Sequence, residues 1–206
     1  MRENRFAKVK RFSKNSDFSE DIMKIAIMGY SGSGKSTLAR ELGELYHAEV
    51  LHFDAVHFLP GWEIRDKAEK QKITEDFLNK HDSWVIDGNY SKLCYERRVE
   101  EADEIILLLF NRFACLRRAY RRYRQYKNTT RPDMAQGCNE KLDFEFSKWI
   151  LWDGRKKSAR DRYQKIISQY GNKTVVIKNQ KQLDRYRKRL ADLKNHQKTN
   201  MTEEAL

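Results

Sequence analysis

Eight consecutive residues, Gly29-Tyr30-Ser31-Gly32-Ser33-Gly34-Lys35-Ser36, match the spacing G-x-x-x-x-G-K-[ST] at every fixed position. Glycines let successive backbone N–H groups curl around an anion with no Cβ in the way. A helix starting at the same place aims its positive dipole end at that anion. Lys35 is placed to reach the β- and γ-phosphates of a nucleotide, and the Ser36 hydroxyl is suited to Mg²⁺. These residue types in this order predict binding of a nucleoside triphosphate.

Two further carboxylates fall where chemistry is expected. Asp54 closes the run Ala48–Phe53, and Asp87 closes Ser83–Ile86 and is followed by Gly88. Open α/β sheets bind ligands outside the carboxyl ends of their strands, so both acids sit at the right edge. Asp87 is read as the carboxylate that supports the Mg²⁺ water shell. Asp54 could hold or deprotonate an acceptor hydroxyl, bind metal through water, or merely cap the next segment. Phe53, Phe58 and Trp62 suit either base stacking or core packing. His52 and His57 have no third ligand at a sensible spacing for a metal.

The segment Arg112–Arg131 holds eight Lys/Arg and no acid. Phe113, Leu116, Tyr120 and Tyr123 fall on one helical face, so the arginines are expected to cover the others. Such uncompensated charge suits a transferred phosphoryl group, a nucleic-acid backbone, or a solvated face with internal ion pairs.

The elements that must position these residues follow from periodicity. Ile25-Ala26-Ile27-Met28 reads as a buried strand before the glycine loop, and Leu38, Leu42, Leu45 and Tyr46 mark the helix after it. Ala48–Phe53, Ser83–Ile86, Ile105–Phe110 and Thr174–Ile177 read as further strands. Lys67–Lys80, Leu93–Ala102, the arginine-rich segment and Phe144–Trp152 read as helices, with a closing helix marked by Leu183, Tyr186, Leu190 and Leu193. The polar stretch 128–143, bounded by Pro132 and Gly137, buries little apolar area and reads as a loop or lid. Its closure would expel water from a nucleotide site.

The remaining sequence sets outer limits. The 206-residue chain suits one α/β domain, here placed at 23–194, and carries a formal net charge of +12. That excess favours polyanionic partners, a nucleotide or a nucleic acid. Met1–Lys14 holds six Lys/Arg against one Glu. Residues 1–22 read as a basic arm touching nucleic acid, as a loose extension, or as sequence upstream of a start at Met23. Residues 195–206 lack an apolar pattern and are expected to fray. Cys94, Cys115 and Cys138 form neither a CxxC pair nor an even set, which points to a reduced, cytoplasmic protein. No apolar run approaches membrane-spanning length.

Four blocks together carry a resemblance: GYSGSGKST (Gly29–Thr37), HFDAVHFLPGW (His52–Trp62), WVIDGNY (Trp84–Tyr90) and RPDMAQGCNEK (Arg131–Lys141). From Met23 to about Leu193 the chain resembles the DNA topology modulation protein family of flagellar-regulator type, a branch of the P-loop kinases related to adenylate and shikimate kinases. The resemblance implies a three-layer P-loop NTPase fold, with a five-stranded parallel sheet of adenylate-kinase type and a helical lid. It implies ATP and Mg²⁺ as cofactors, with Gly29–Thr37 cradling ATP and Asp87 near the metal. It also implies that Arg118, Arg122 and Arg131 clamp phosphates. The D-G-F-P-R block of adenylate kinases is here Asp87-Gly88-Asn89-Tyr90-Ser91, without the arginine that touches a nucleoside monophosphate. The expected activity is phosphoryl transfer from ATP to a small molecule, with Lys35, Asp54, Arg118, Arg122 and Arg131 as the catalytic set. The alternative is a nucleotide-gated DNA-binding protein.

Overall fold

The computed structural model describes residues 22–203, with side chains to residue 192. The readings made for residues 1–21 and 204–206 lie outside the described residues. Five strands form one parallel sheet: β1 (Lys24–Gly29), β2 (Glu49–His52), β3 (Trp84–Asp87), β4 (Glu104–Leu108) and β5 (Thr174–Ile177), in the order β2-β3-β1-β4-β5. The chain leaves β1 toward one side of the sheet to reach β2 and β3, and later crosses to the other side for β4 and β5. That reversal opens a crevice beyond the carboxyl ends of the central strands.

Strand side chains alternate between faces, and both faces are dry. One face, with Ile25, Ile27, Val85, Ile106 and Leu108, packs against Leu38 and Leu42 of α1 (Lys35–Tyr46) and Cys115 and Ala119 of α5 (Arg112–Tyr126). Ile150 of α6 (Phe144–Leu151) and Leu183, Tyr186 and Leu190 of α8 (Gln180–Glu203) complete that layer. The other face, with Ala26, Met28, Trp84, Ile86, Ile105 and Leu107, meets Phe53 and Val56 of α2 (Phe53–His57) and Leu78 of α3 (Lys67–Lys80). Val99 of α4 (Tyr95–Glu101) and Tyr163 and Ile166 of α7 (Lys157–Gln169) close it. Full burial of each such large aliphatic side chain contributes about 1.5–3 kcal/mol. The result is the expected three-layer α/β P-loop fold. No helix among the described residues is long and apolar enough to cross a membrane.

Several local expectations are corrected. β2 ends at His52, and Asp54 lies in the first turn of the short helix α2 instead of at a strand tip. The arginine-rich helix stops at Tyr126, short of Arg131. Its buried face is not the aromatic one: Phe113 is 73% and Tyr120 52% exposed, while Cys115 and Ala119 are buried. Small residues face inward because α5 must approach the phosphate loop closely. A Cβ added to Gly32 would sit 2.5 Å from the Cys115 carbonyl oxygen. Helix α7, absent from the sequence expectations, carries Tyr163, Ile166 and Ile167 at helical spacing, with Tyr170 at its C-cap, and Tyr163 and Ile166 anchor it. The backbone of α8 stays helical past Lys194.

The stretch between α5 and α6 hides more than its composition suggests, with Met134 and Cys138 buried. It folds back on itself through Glu140 N–H to Thr129 O (2.9 Å). It also docks on the turn after α2: Gly61 N–H donates to Gly137 O, Cys138 Sγ to Leu59 O, and Trp62 Nε1 to Asn139 O.

Candidate active site in the cleft at the strand ends

The phosphate loop is bent by glycines where a side chain cannot go. Gly29, Gly32 and Gly34 have φ of 142°, 74° and 96°, and a Cβ on Gly29 would collide with the Leu108 carbonyl. Gly34 is the N-cap of α1, with no side chain bonded to the cap, so the first N–H groups of the helix are left for an anion. Lys35 Nζ donates to Tyr30 O at 3.3 Å, folded over the loop it serves. Ser31 Oγ accepts from Trp149 Nε1 at 3.2 Å, whereas Ser33 is fully buried. Ser36 and Thr37 line the cleft beside Lys35.

Two residues outside the motif hold its shape. Asn89 Oδ1 accepts from Gly29 N–H (2.9 Å) while its Nδ2 donates to Gly29 O (2.6 Å), a two-point clamp across strands β3 and β1. Arg118 Nη1 donates to Ser33 O at 2.6 Å, its Nη2 to Gln180 Oε1, and its guanidinium lies 4.1 Å from the Phe110 ring centroid. On the same face Arg155 stacks on Tyr30 at 3.8 Å and donates to Phe110 O. Arg118 thus supports the backbone of the loop directly.

Asp87 ends β3 opposite Ile27 and His52 in the register. It is 5% exposed, and its Oδ2 accepts from His52 Nδ1 at 3.1 Å. Burial pushes its pKa up, but hydrogen bonds from His52 and Ser36 and the Lys35 charge outweigh that and hold it below the ordinary aspartate value. Its Oδ1 is buried with no hydrogen-bond partner. An ionised carboxylate with one unspent oxygen beside a serine hydroxyl fits a hard, oxygen-seeking cation such as Mg²⁺. Among the described residues no group of three or more His, Cys, Asp or Glu could hold a metal alone. A cation here would complete its shell with phosphate oxygens and water.

Asp54 faces the same cleft from α2, with its side chain 47% exposed. Its Oδ1 accepts from the Tyr90 hydroxyl at 2.9 Å, and its Oδ2 pairs with Arg131 Nη2 at 3.3 Å. The carboxylate is not a cap: α2 is preceded by His52 and has no side-chain cap hydrogen bond. Burial first, then the Asp54 charge, keep the Tyr90 phenol well above its ordinary pKa, so it stays a donor.

Two of the arginines, Arg122 and Arg131, are compensated by acids. Arg131, 6% exposed, pairs with Asp54, with Asp133 (3.2 Å) and with Glu140 (3.4 Å). Arg122 Nη2 donates to Glu140 Oε1 at 2.8 Å. The two carboxylates lie two residues after and nine after Arg131, in the same sequence block, but charge counting over 112–131 stopped before them. Phe53 is core, fully buried under the Arg98 guanidinium at 4.4 Å, and Phe58 packs edge-on against Trp62.

Ser31, Gly32 and Gly34–Thr37 of the phosphate loop line one cleft of about 1240 Å³ with Asp54, Asp87, Arg118, Arg122 and Arg131, and Tyr90, Lys70 and Glu140 are among its other walls. Sequence reasoning missed Asn89, Tyr90, Asp133 and Glu140. Their signal was their position inside the WVIDGNY and RPDMAQGCNEK blocks.

Solved structures similar to this chain include three kinases. A gluconokinase from Sinorhizobium meliloti 1021 is 18% identical, with 86% of this chain and 97% of that one covered, at a TM-score of 0.43. A deoxyadenosine kinase from M. mycoides is 15% identical over 83% of this chain and 100% of that one (TM-score 0.45). A shikimate kinase from Bacteroides thetaiotaomicron is 15% identical over 83% and 97% (TM-score 0.45). No curated protein matches the chain. A family described as an AAA domain matches residues 25–140, more than half of the 206 residues, and the chain belongs to that family.

Proposed function

We propose that the protein transfers the γ-phosphoryl group of ATP to a hydroxyl of a small molecule, with Mg²⁺ as cofactor. One observation carries this reading: the phosphate loop and the half-exposed carboxylate of Asp54 open into the same cleft. Two ligands, a nucleotide and an acceptor, fit side by side in such a volume.

In this reading the loop N–H groups and Lys35 bind the β- and γ-phosphates, and Ser36 and Asp87 hold the cation through oxygen donors. Mg²⁺, when bound, neutralises charge on those phosphates. Asp54, oriented by Tyr90 and Arg131, accepts the proton of the acceptor hydroxyl as its oxygen bonds to the γ-phosphorus and ADP leaves. Arg131 fixes Asp54 in the cleft, Arg122 holds Glu140 beside it, and Arg118 keeps the loop in its binding shape. Segment 128–143 acts as the lid, through its contacts with the Leu59–Trp62 turn. The four-block resemblance to the DNA topology modulation family supports placing the chain in that branch of the P-loop kinases.

Replacing Lys35 tests the core of the proposal. Lys35→Ala should weaken Mg·ATP binding by roughly 10²-fold or more, as loss of a charge-assisted phosphate contact of about 3 kcal/mol would. Thermal unfolding should be unchanged, because the side chain lies over a loop. Unaltered ATP affinity in the folded variant would sink the reading.

A further inference from the structure

The α3 wall of the cleft carries a cation that the nucleotide reading does not use. Lys70 is 9% exposed, yet among the described residues no carboxylate lies within ion-pair distance of its Nζ. The polar partner of that ammonium is His57 Nδ1, at 3.4 Å. Asp66, one turn earlier, is engaged with the helix end, accepting from the N–H groups of Ala68 (2.7 Å) and Glu69 (3.2 Å). A mostly buried ammonium is disfavoured unless an anion meets it.

Lys70 is also placed in line with the reacting end of the site. His57 packs at 4.9 Å on Tyr90, and Tyr90 donates to Asp54. His57 is three residues beyond Asp54, on the same short helix. Its pKa is lowered, by burial first and by the Lys70 charge second, which leaves a neutral ring whose Nδ1 accepts from Lys70. Lys67 and Lys92 line the same cleft and have no ion pair among the described residues, while Lys141 pairs with Asp143 at 3.4 Å and sits over the Trp62 ring at 5.0 Å. An ammonium whose hydrogen-bond partner is a neutral ring, with Lys67 and Lys92 along the same wall, defines a seat for an anion.

We propose that the acceptor carries an anionic group, a phosphate or a carboxylate, that docks on Lys70 while its hydroxyl is presented to Asp54. This inference rests on the kinase reading, since it names the acceptor class of that same site. The anchor then fixes the acceptor in the cleft, and the matching of opposite charge discriminates against neutral sugars or nucleosides of similar shape.

The test uses the full chain saturated with Mg²⁺ and a non-hydrolysable ATP analogue, which blocks the phosphate loop. Inorganic phosphate and trifluoroacetate are titrated at constant ionic strength, read by ³¹P and ¹⁹F line broadening. At least one probe should bind saturably, and Lys70→Gln should weaken it roughly tenfold or more, the worth of one lost charge contact. Lys70→Arg should keep most of the binding. Analogue affinity should be the same in all three proteins, which also shows that the variants fold. Whichever probe binds more tightly identifies phosphate or carboxylate as the source. No saturable binding of either probe, or binding that Lys70→Gln leaves intact, overturns the inference with the kinase reading untouched. Failure of the analogue to bind the unaltered protein overturns the kinase reading itself.

Discussion

Asp87 and Asp54 share a side chain and differ in nearly everything around it. Asp87 is buried, bonded to His52 beside Ser36, and has a spare oxygen, whereas Asp54 is half exposed, with a phenol on one oxygen and a guanidinium on the other. Asp87→Asn should therefore raise the Mg²⁺ requirement and slow both phosphoryl transfer and background ATP hydrolysis. Asp54→Asn should spare Mg·ATP binding and background hydrolysis but cut acceptor phosphorylation by roughly 10²–10⁴-fold, the usual worth of a positioned general base. Hydrolysis and transfer followed in one reaction separate the two. If Asp54→Asn alone weakens Mg²⁺, the assignments are reversed. Asp87 also predicts an acid limb in stability. Its folded pKa lies below its unfolded one, so its contribution is complete above the ordinary aspartate range and is lost as pH falls through the folded value. Urea titrations from pH 7 to pH 3 should show a shallower loss for Asp87→Asn.

At the scale of elements, the connection from α5 to α6 is a polar structure. Arg122 and Arg131 face Asp133 and Glu140, each carboxylate less than 10% exposed, and Asp54 extends the group to α2. Two cations and two buried acids balance, so breaking the set costs more than the set itself contributes. Arg131→Met should destabilise the protein by about 3–5 kcal/mol, because it strands the buried carboxylate of Asp133, while Glu140 keeps Arg122. Adding Asp133→Asn to that variant should recover part of the loss. Chemical denaturation of the single and double variants reads both effects. A loss under about 1 kcal/mol would mean that water solvates the acids and that the loop is held by Met134 and Cys138 instead.

For the whole molecule the question is what a net charge of +12 is for. Part of the basic content is spent internally: Arg118 on the Ser33 carbonyl, Arg122 and Arg131 on acids, and Arg187 on both oxygens of Glu41 at 2.8 and 2.7 Å. Duplex DNA should accordingly bind weakly and without sequence preference, with a log–log salt slope of roughly −0.9 per phosphate contacted. Binding should vanish by physiological salt and be largely lost when residues 1–22 are deleted. Electrophoretic mobility shifts across a salt series check this. Tight binding that survives both salt and deletion would favour the nucleotide-gated DNA-binding alternative.

What could be read from the residues alone was whatever depends on local spacing. The phosphate loop is contiguous, so its glycines, Lys35 and Ser36 were legible, as were the five strands, the central three through apolar runs that reflect burial on both faces. Asp87 was legible because the strand that carries it ends in a recognisable Asp-Gly pair. Tertiary structure decided the rest, because the remaining site groups meet across long stretches of chain. Asn89 clamps Gly29 from sixty residues away, and Arg131 reaches Asp54 over seventy-seven. Helix α5 turned inward not its aromatics but Cys115 and Ala119, since only small side chains let its backbone come up to Gly32. Charge composition shows how many cations a segment has; only the folded neighbours show which are neutralised. Arg131 and Lys70 look alike in sequence, yet one lies among three acids and the other faces the cleft beside a neutral histidine.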